Sequence, residues 1–385
     1  MKIVFSFLCF YCLFLFVWGC SSKAERKVEQ LNRTALSSDF SFRQLSPEEL
    51  SRYGNEAKFY YETHLKRSGF SGSILLAKNG QVVFEDYTGF SDFKTHDSIN
   101  SNTTFHLASI SKTFTGTEIL RLWEQKRLTL NDTLQQYFPE LPYHGITIRM
   151  MLSHRSGLPN YLYFMDKGWN RKQKATNQDV LDYMIANKPP ADAPPGKVFH
   201  YCNTNFMLLA LIVERITHQP FPQFMKDSVF TPLGMNSTYI FSITDTLKYI
   251  PTYVGNRPYE MDYLDCTYGD KNVYSTVRDL LQWDKALYQH TFVGKTTLDT
   301  AFTPQSYERR SMHNYGLGWR LFTNGLDSFV YHNGKWHGSN TVLTRLVQDT
   351  ATIIVLGNKF NRNIYDAKNM SVIFTGIKDT ASLKE

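Results

Sequence analysis

Cysteines are scarce in the greater part of this sequence. Three of the five cysteines in 385 residues, Cys9, Cys12 and Cys20, lie within the first twenty residues. Only Cys202 and Cys266 remain, too few for the disulfide framework of a small exported protein. Because Cys202 lies inside a motif that a bridge would disturb, we predict two free thiols.

Patterns typical of metal-binding and nucleic-acid-binding proteins are also missing. No Cys and His spacing suggests a metal site, since the histidine pairs at 144 and 154 and at 332 and 337 lack partners of the usual kind. Lys and Arg number 42 against 35 Asp and Glu, a formal net charge of +7 without a dense basic run. We therefore predict no metal, no cofactor and no nucleic-acid partner, and only mild attraction to anionic surfaces.

The overall composition is that of a globular protein. Hydrophobic residues make up 42% of the chain and charged residues 20%, and the sequence contains no internal repeat and no low-complexity tract. A chain of 385 residues can form one large domain or two smaller ones with a sizeable core.

The N-terminus carries a targeting segment. Lys2 precedes an apolar run over residues 3–18, which is short for a membrane span and typical of a secretory signal. The following Gly19-Cys20 resembles a bacterial lipoprotein cleavage box. We predict a signal peptide at residues 1–20 and lipidation of Cys20, with an uncleaved anchor as the alternative. Both interpretations place the protein in the cell envelope, attached to a membrane and facing the periplasm or the exterior.

The remaining chain divides into a tether, one domain and a tail. Residues 21–45 are polar and mixed in charge, which predicts a flexible tether. Ser46-Pro47 is a helix-start signal, so the folded domain is predicted at residues 46–376, with a mainly helical insert at roughly 122–265. Residues 377–385 form the C-terminal tail.

The order of predicted elements indicates the fold class. Asn79-Gly80 between two β-rich runs predicts a hairpin, and three successive strands are predicted near the C-terminus, at 329–332, 341–347 and 351–356. The residues between these groups are largely helical in pattern, for example at 206–216, apart from an aromatic stretch at 158–170 that reads as a loop. Strands, helices and strands again, without βαβ alternation, predict an α+β fold with a central antiparallel sheet built from both chain ends.

The strongest candidate for chemistry is Ser109 with Lys112. Residues three apart on a helix share one face, and a serine hydroxyl becomes a good nucleophile when a neutral amine takes its proton. Burial disfavours the charged form of an amine, and a helix start favours negative charge on the serine oxygen. Taken alone, such a pair is more often found on a solvated helix face.

Two further stretches carry polar groups suited to acyl transfer. Tyr201 and Asn203 precede a predicted helix, where a phenol near a cation can shuttle protons and an amide can orient a lysine and a substrate. The alternative is a simple helix cap. His332-Asn333-Gly334 ends a predicted strand, where glycine lets a substrate lie along the strand edge. The alternative is a turn after that strand.

The three stretches in this order resemble the penicillin-recognising serine hydrolases, in particular class C β-lactamases, D-alanyl-D-alanine carboxypeptidases and related esterases. The resemblance covers roughly residues 57–360. Further stretches similar to that superfamily lie at 72–80, 146–159, 274–280 and 315–319.

The resemblance implies a role for each residue. Ser109 would be the acylated nucleophile, Lys112 its base or proton relay, and Tyr201 the group that passes a proton to the leaving group and later activates water. The implied substrate-binding and orienting residues are Asn203, His332, Asn333 and Gly334. The implied oxyanion hole consists of the backbone N–H groups of Ser109 and Lys335.

One departure from the family pattern bears on specificity. β-Lactamases of this group carry Lys-Thr-Gly where this chain has His332-Asn333-Gly334, and a histidine is mostly neutral at neutral pH. The positive charge that attracts a β-lactam carboxylate is therefore weaker. We predict an exported, membrane-anchored serine hydrolase of small peptide, amide or ester substrates, most readily D-amino-acid peptides. The alternatives are an esterase or weak β-lactamase of the same fold, and a non-catalytic penicillin-binding sensor or scaffold.

Overall fold

The computed structural model describes residues 40–323 and 328–376. The predicted signal peptide at 1–20 with Cys20, the first part of the predicted tether and the predicted tail at 377–385 lie outside the described residues. Within the described ranges, every helix is too short or too polar to cross a lipid bilayer.

The described strands are mostly short, and the longest belong to one sheet. In chain order they are β1 (Gly72–Lys78), β2 (Gln81–Thr88), β3 (Phe90–Asp92), β4 (Asp97–Ser98), β5 (Phe105–His106), β6 (Tyr239–Ile240), β7 (Tyr253–Val254), β8 (Arg257–Pro258), β9 (Val273–Ser275), β10 (His313–Tyr315), β11 (Arg320–Thr323), β12 (Ser328–Trp336), β13 (Ser339–Leu346) and β14 (Ala351–Gly357).

The helices occupy mainly the middle of the chain. In chain order they are α1 (Pro47–Tyr60), α2 (Ser111–Glu124), α3 (Leu134–Tyr137), α4 (Ile148–Leu152), α5 (Tyr161–Gly168), α6 (Asn177–Asn187), α7 (Asn203–Thr217), α8 (Phe221–Met225), α9 (Val277–Tyr288), α10 (Lys295–Ala301) and α11 (Val372–Thr375). Short 3₁₀ and π segments lie between them, among them Ala108–Ile110 and Arg362–Ser371.

A seven-stranded sheet, in the order β10-β11-β12-β13-β14-β1-β2, forms the centre of the protein. The pairs β1·β2, β1·β14, β12·β13 and β13·β14 are all antiparallel. Strands from the two ends of the chain therefore meet at β1 and β14, with Gly72 opposite Gly357. This confirms the predicted α+β fold with one antiparallel sheet from both chain ends and helices inserted between them.

Both faces of this sheet are covered. Ile74 and Leu76 of β1 pack in a core that includes Ala57 of α1, whereas Leu75 between them packs in a larger core with Trp283 of α9. Alternate residues of a strand point to opposite faces, so an almost continuous apolar run is what a strand buried on both faces requires.

Local turn and capping signals place the first elements. Asn79 and Gly80 adopt positive φ values of 49° and 66°, the conformation of a tight hairpin turn, between β1 and β2 as predicted. Ser46 and Glu49 form a reciprocal capping box at the start of α1.

The end of the predicted tether packs on the domain. The Phe42 ring lies 6.1 Å from that of Tyr288, and the Phe40 ring lies 5.1 Å from that of Phe42. Leu45 is buried. Packing therefore begins before Ser46, because these apolar side chains gain more by burial than by exposure on a tether.

The prediction of a loop over residues 158–170 is wrong, because α5 occupies 161–168. The Asn160 side chain accepts a hydrogen bond from the Leu162 N–H at 3.3 Å and caps this helix. Tyr161 and Met165, four residues apart, are buried on its inner face. The density of aromatic residues hid a helical period that the cap at Asn160 could have indicated.

Candidate active site

Ser109 lies in a tight turn that connects β5 to α2. It occupies the middle of a 3₁₀ segment over Ala108–Ile110, two residues before the α-helix begins at Ser111. Ala108 has a positive φ of 48°, an uncommon conformation for a residue with a β-carbon. The surrounding bonds hold this strained turn in place: the Leu107 carbonyl accepts from Thr341 Oγ1 at 2.8 Å, and the His106 carbonyl accepts from Ser339 Oγ.

Lys112 reaches back over one turn to Ser109. Its side chain is fully buried, and its Nζ lies 3.1 Å from Ser109 Oγ, 2.8 Å from Asn203 Oδ1 and 2.8 Å from the Asp270 carbonyl oxygen. Two of these partners, Asn203 Oδ1 and the Asp270 carbonyl oxygen, can only accept, so they take hydrogens from Nζ. The nitrogen is therefore held within proton-transfer distance of the serine oxygen.

Tyr201 and Asn203 approach the same lysine from the start of α7. The ring centroid of Tyr201 lies 5.1 Å from Lys112 Nζ. The helix-cap alternative for Asn203 or Asn205 is wrong, because the N-cap residue of α7 is Cys202. Asn203 binds Lys112, and Asn205 accepts a hydrogen bond from Ser156 Oγ at 2.6 Å. The amide of Asn203 is thereby used to orient the lysine.

His154 supports the Tyr201 segment from behind. Its ring packs against the Tyr201 ring at 4.2 Å between centroids, tilted by 32°, and its Nδ1 accepts a hydrogen bond from the Cys202 N–H at 3.1 Å. Burial, with Lys112 nearby, holds the pKa of His154 well below its ordinary value. A neutral imidazole can accept this bond, so His154 orients the tyrosine without adding charge. Cys202 and Cys266 are free and buried, as predicted.

The motif His332-Asn333-Gly334 lies inside β12 and not in a turn, so the turn alternative is wrong. The three residues pair with Leu343, Val342 and Thr341 of β13. A β-carbon at Gly334 would stand 2.3 Å from the Leu107 carbonyl oxygen and 2.2 Å from Thr341 Oγ1. Glycine at this position therefore allows the strand to pack directly against the turn that carries Ser109.

His332 is close to the site but does not reach the cleft. Its side chain is fully buried, and its Nε2 lies 3.2 Å from the Tyr315 hydroxyl. Burial, followed by the charges of Arg320 and Lys112, holds its pKa well below the ordinary value. The structure therefore places a neutral imidazole behind Tyr201, with a centroid distance of 6.5 Å, instead of a side chain that faces a substrate.

A cleft of about 280 Å³ brings the other candidates together. Of the residues singled out in the sequence, it is lined by Ser109, Tyr201, Asn203, Asn333, Gly334 and Lys335. Residues that the sequence analysis missed complete the wall: Leu162, Asp270, Lys271, Arg320, Trp336 and Tyr365. Both residues of the predicted oxyanion hole, Ser109 and Lys335, thus face the same space.

The most important missed feature is a segment that we call the clamp, residues 269–273. The Gly269 carbonyl accepts from Thr115 Oγ1 at 2.7 Å, and the Asp270 carbonyl accepts from Lys112 Nζ. The Val273 N–H donates to Ser111 Oγ at 3.0 Å. The clamp therefore holds successive turns of the segment that carries Ser109 and Lys112. Three adjacent polar residues, Asp270 to Asn272, directly before an apolar strand were the available signal.

His106 connects the clamp to the strained turn. Its Nδ1 accepts a hydrogen bond from the Ala108 N–H at 3.1 Å, which places its proton on Nε2, 2.8 Å from Asn272 Oδ1. Burial lowers the pKa of His106 to about 4, so the neutral tautomer persists at neutral pH. His106 therefore fixes the backbone directly before the candidate nucleophile.

Comparison with known proteins agrees with this geometry. The sequence profile described as Beta-lactamase matches residues 61–373, which is most of the chain. The chain belongs to the Beta-lactamase family. Penicillin-binding protein 4* of Bacillus subtilis (strain 168) is 31% identical over 325 residues, which cover 80% of this chain and 72% of that protein. Members of the Beta-lactamase family with this fold are serine hydrolases, and this chain is one of them.

Two solved structures have the same fold. The crystal structure of a penicillin-binding protein from Bacillus halodurans superposes with a TM-score of 0.71 at 24% identity, covering 80% of this chain and 97% of that one. A D-amino acid amidase from Ochrobactrum anthropi SV3, complexed with L-phenylalanine, superposes with a TM-score of 0.70 at 21% identity, covering 87% and 100%. At these identities the two structures establish the Beta-lactamase fold alone.

Proposed function

We propose that this protein is a lipid-anchored hydrolase that acts through an acyl-enzyme on Ser109 and cleaves small peptide, amide or ester substrates. The observation that carries the proposal is the 3.1 Å contact between Lys112 Nζ and Ser109 Oγ. It lies at the wall of a cleft that Tyr201 and Asn203 also line. A nucleophile, a base in contact with it and a third group that orients the base are the components of covalent acyl transfer.

The reaction follows from these contacts. Lys112 Nζ takes the hydroxyl proton of Ser109 as Oγ bonds to the substrate carbonyl carbon, and the resulting oxyanion lies between the N–H groups of Ser109 and Lys335. Tyr201 protonates the departing amine or alkoxide as its bond to carbon breaks, leaving an ester on Ser109. Tyr201 then takes a proton from water, whose oxygen bonds to the ester carbon. The bond from that carbon to Oγ breaks, the acid is released, and Ser109 Oγ regains its proton from Lys112.

Among the possible substrates we place D-amino-acid peptides first. Similarity to a protein named penicillin-binding protein 4* and to the fold of a D-amino acid amidase supports amide bonds next to D-residues. Arg320 lines the cleft beside Tyr201, with its guanidinium carbon 5.5 Å from that ring centroid, and so brings positive charge to the leaving-group side. Because His332 is neutral and withdrawn, we expect β-lactams, which carry a carboxylate, to be poorer substrates.

The test is intact-mass analysis after incubation with a penicillin, a D-Ala-D-Ala peptide and a p-nitrophenyl ester. We expect an adduct on Ser109 that forms and decays, with release of the peptide product. The Ser109→Ala variant should form no adduct, whereas Ser51→Ala, on the exposed face of α1, should react like the wild type. Adducts that form with every compound and never decay would favour the sensor or scaffold, and labelling of Ser109→Ala would refute the mechanism.

Membrane attachment is the second part of the proposal, and its support is the apolar run at 3–18 followed by Gly19-Cys20. Expression in a bacterial host with fractionation tests it. The Cys20→Ser variant should lose lipid labelling and leave the membrane fraction or retain its uncleaved signal. The Cys12→Ser variant, altered in the same segment, should remain lipidated. Equal lipid labelling of both variants would refute lipidation at Cys20.

A further inference from the structure

One side chain in the wall of the cleft has an unused hydrogen-bonding atom. Asp270 is 2% exposed and lines the cleft. Its Oδ2 accepts a hydrogen bond from the Tyr161 hydroxyl at 3.0 Å, but its Oδ1 has no hydrogen-bond partner among the described residues. A buried carboxylate oxygen without a donor is costly, and such an atom in a cleft wall calls for a ligand.

The neighbouring Lys271 forms an ion pair with this oxygen but does not donate a hydrogen bond to it. Lys271 Nζ lies 3.9 Å from Asp270 Oδ1, beyond hydrogen-bond distance. It donates instead to the hydroxyls of Tyr161 and Thr267, and it lies 4.9 Å from the centroid of the Trp336 ring. The positive charge of Lys271 is thus engaged, while Asp270 keeps an acceptor available.

The place at which the clamp meets β12 indicates which part of a substrate Asp270 would contact. Arg320 lies beside Tyr201 and pairs with Tyr331, whereas Lys271 lies against Trp336, five residues further along the strand. Gly334, between these ends, packs against the turn that carries Ser109. Because Tyr201 is the proposed proton donor to the leaving group, Arg320 marks the leaving-group end and Asp270 marks the acyl end.

The main-chain carbonyl of Asp270 lies near the nucleophile. Lys112 Nζ contacts both Ser109 Oγ and the Asp270 carbonyl, at 3.1 and 2.8 Å, so Asp270 is close to the nucleophile. In an amino-acyl group the α-nitrogen is two bonds, about 2.5 Å, from the carbonyl carbon. A group on that nitrogen is therefore the one placed to meet Asp270.

We propose that the Asp270 carboxylate binds the free α-amino group of the acyl residue, so that the enzyme prefers amides and peptides cleaved next to an unblocked N-terminal residue. This inference rests on the proposed function and narrows its substrate class. A protonated amine supplies the donor that Oδ1 lacks, and it pairs a positive charge with a carboxylate in a sheltered site. An N-acyl group in the same place would remove that charge.

The experiment compares D-alanine p-nitroanilide with N-acetyl-D-alanine p-nitroanilide. For the wild type we expect kcat/KM to favour the free amine by roughly 10- to 100-fold, the usual range for a hydrogen bond to a charged group. In Asp270→Asn this preference should fall to within about threefold of unity, mainly through a higher KM for the amine.

A matched variant separates a direct contact from a general change of charge. Asp265→Asn removes a carboxyl group five residues away, one that already accepts from Trp336 Nε1 at 2.7 Å and from the Asp262 N–H. It should retain most of the preference for the amine. Equal loss in both variants would overturn the direct contact with Asp270.

Two further outcomes keep the inference and the proposed function apart. If the wild type hydrolyses the acetylated compound as well as the amine, or better, Asp270 does not bind an amine and only the inference fails. This comparison needs no variant, so it holds even if Asp270→Asn does not fold. If the wild type hydrolyses neither compound and a serine-directed fluorophosphonate leaves Ser109 unlabelled, the proposed function fails and the inference fails with it.

Discussion

The cleft has a nucleophile wall, formed by the turn and helix that carry Ser109 and Lys112, and a strand wall, formed by β12. Each wall holds a buried basic side chain, but in a different way. On the nucleophile wall, Lys112 contacts the candidate nucleophile, Asn203 and the clamp. On the strand wall, His332 is equally buried but bonds to Tyr315, behind Tyr201. Burial alone therefore does not identify a catalytic base, whereas contact with the reacting atom does. The strand wall contributes its backbone and its glycine instead of its histidine.

The sharpest test of this comparison replaces one lysine on each wall by alanine. We expect Lys112→Ala to lower kcat by about 10²- to 10⁴-fold, the usual contribution of a general base, with intact-mass analysis showing slower acylation of Ser109. Lys335→Ala, which removes an exposed lysine from the strand wall, should change kcat/KM by less than about fivefold. Comparable losses in the two variants would erase the proposed difference between the walls.

The second prediction concerns the glycine of the strand wall. In Gly334→Ala the new β-carbon would overlap the Leu107 carbonyl oxygen and Thr341 Oγ1, so the turn that carries Ser109 must shift. We expect about a 100-fold loss of kcat/KM, measured with a p-nitrophenyl ester. As a control, Gly69→Ala strains a positive φ of 76° in open space and should lower the melting temperature without this loss. Wild-type activity in Gly334→Ala would show that the strand does not position the turn.

The third prediction extends the comparison to pH. Burial depresses the pKa values of His106, His154 and His332 in the folded state, whereas the unfolded chain titrates near 6.5. Below that pH the unfolded chain binds protons that the folded protein excludes, so the free energy of unfolding falls as pH falls. Each histidine contributes about 1.4 kcal/mol per pH unit at most.

Urea denaturation at pH 7.5, 6.0 and 5.0 measures this slope. His332→Asn should reduce the slope by about a third, one histidine of three, while the exposed His64, changed to Asn, should leave it as in the wild type. A stability that is constant between pH 6.0 and 5.0 would contradict neutral burial of the three rings. The His332→Asn variant should retain a larger fraction of the wild-type hydrolytic activity than the Lys112→Ala variant.

The smallest expected effect concerns the two thiols. Cys202 and Cys266 are free and buried, and burial raises the pKa of the Cys202 thiol to about 12. A reductant should therefore leave the melting temperature unchanged, and alkylation by iodoacetamide should require unfolding. Destabilisation by reductant would instead indicate a disulfide bridge between Cys202 and Cys266, next to Tyr201.

Much of the fold was predictable because its signals are local. Asn79-Gly80 between β-rich runs predicts the hairpin, and Ser46 with Glu49 predicts the start of α1. The loop prediction at 158–170 was wrong because it relied on the aromatic composition of this stretch and overlooked Asn160 as a helix-capping residue. The packing of Phe42 was not predictable, because nothing near Phe42 in sequence indicates Tyr288, the ring that it contacts.

The candidate site was predictable only in part. Ser109, Tyr201, Asn203 and Gly334 all line the cleft, as short motifs in a fixed order led us to expect. Arg320 and Trp336 carry no motif of their own, so only packing places them in the wall. The withdrawal of His332 from the cleft was likewise not predictable, because the alternation of side chains along a strand predicts which face of the sheet His332 occupies but not which residues cover that face.

The sequence by itself determined the local geometry: the hairpin at Asn79-Gly80, and the three-residue spacing that puts Lys112 one turn from Ser109. Tertiary structure alone decided that residues 269–273 clamp that turn, that His332 is sealed behind Tyr201, and that Asp270 retains a free oxygen in the cleft wall. The physical reason is separation along the chain. Backbone and side-chain preferences act over a few residues, whereas contacts between residues more than a hundred positions apart exist only after the whole core has packed.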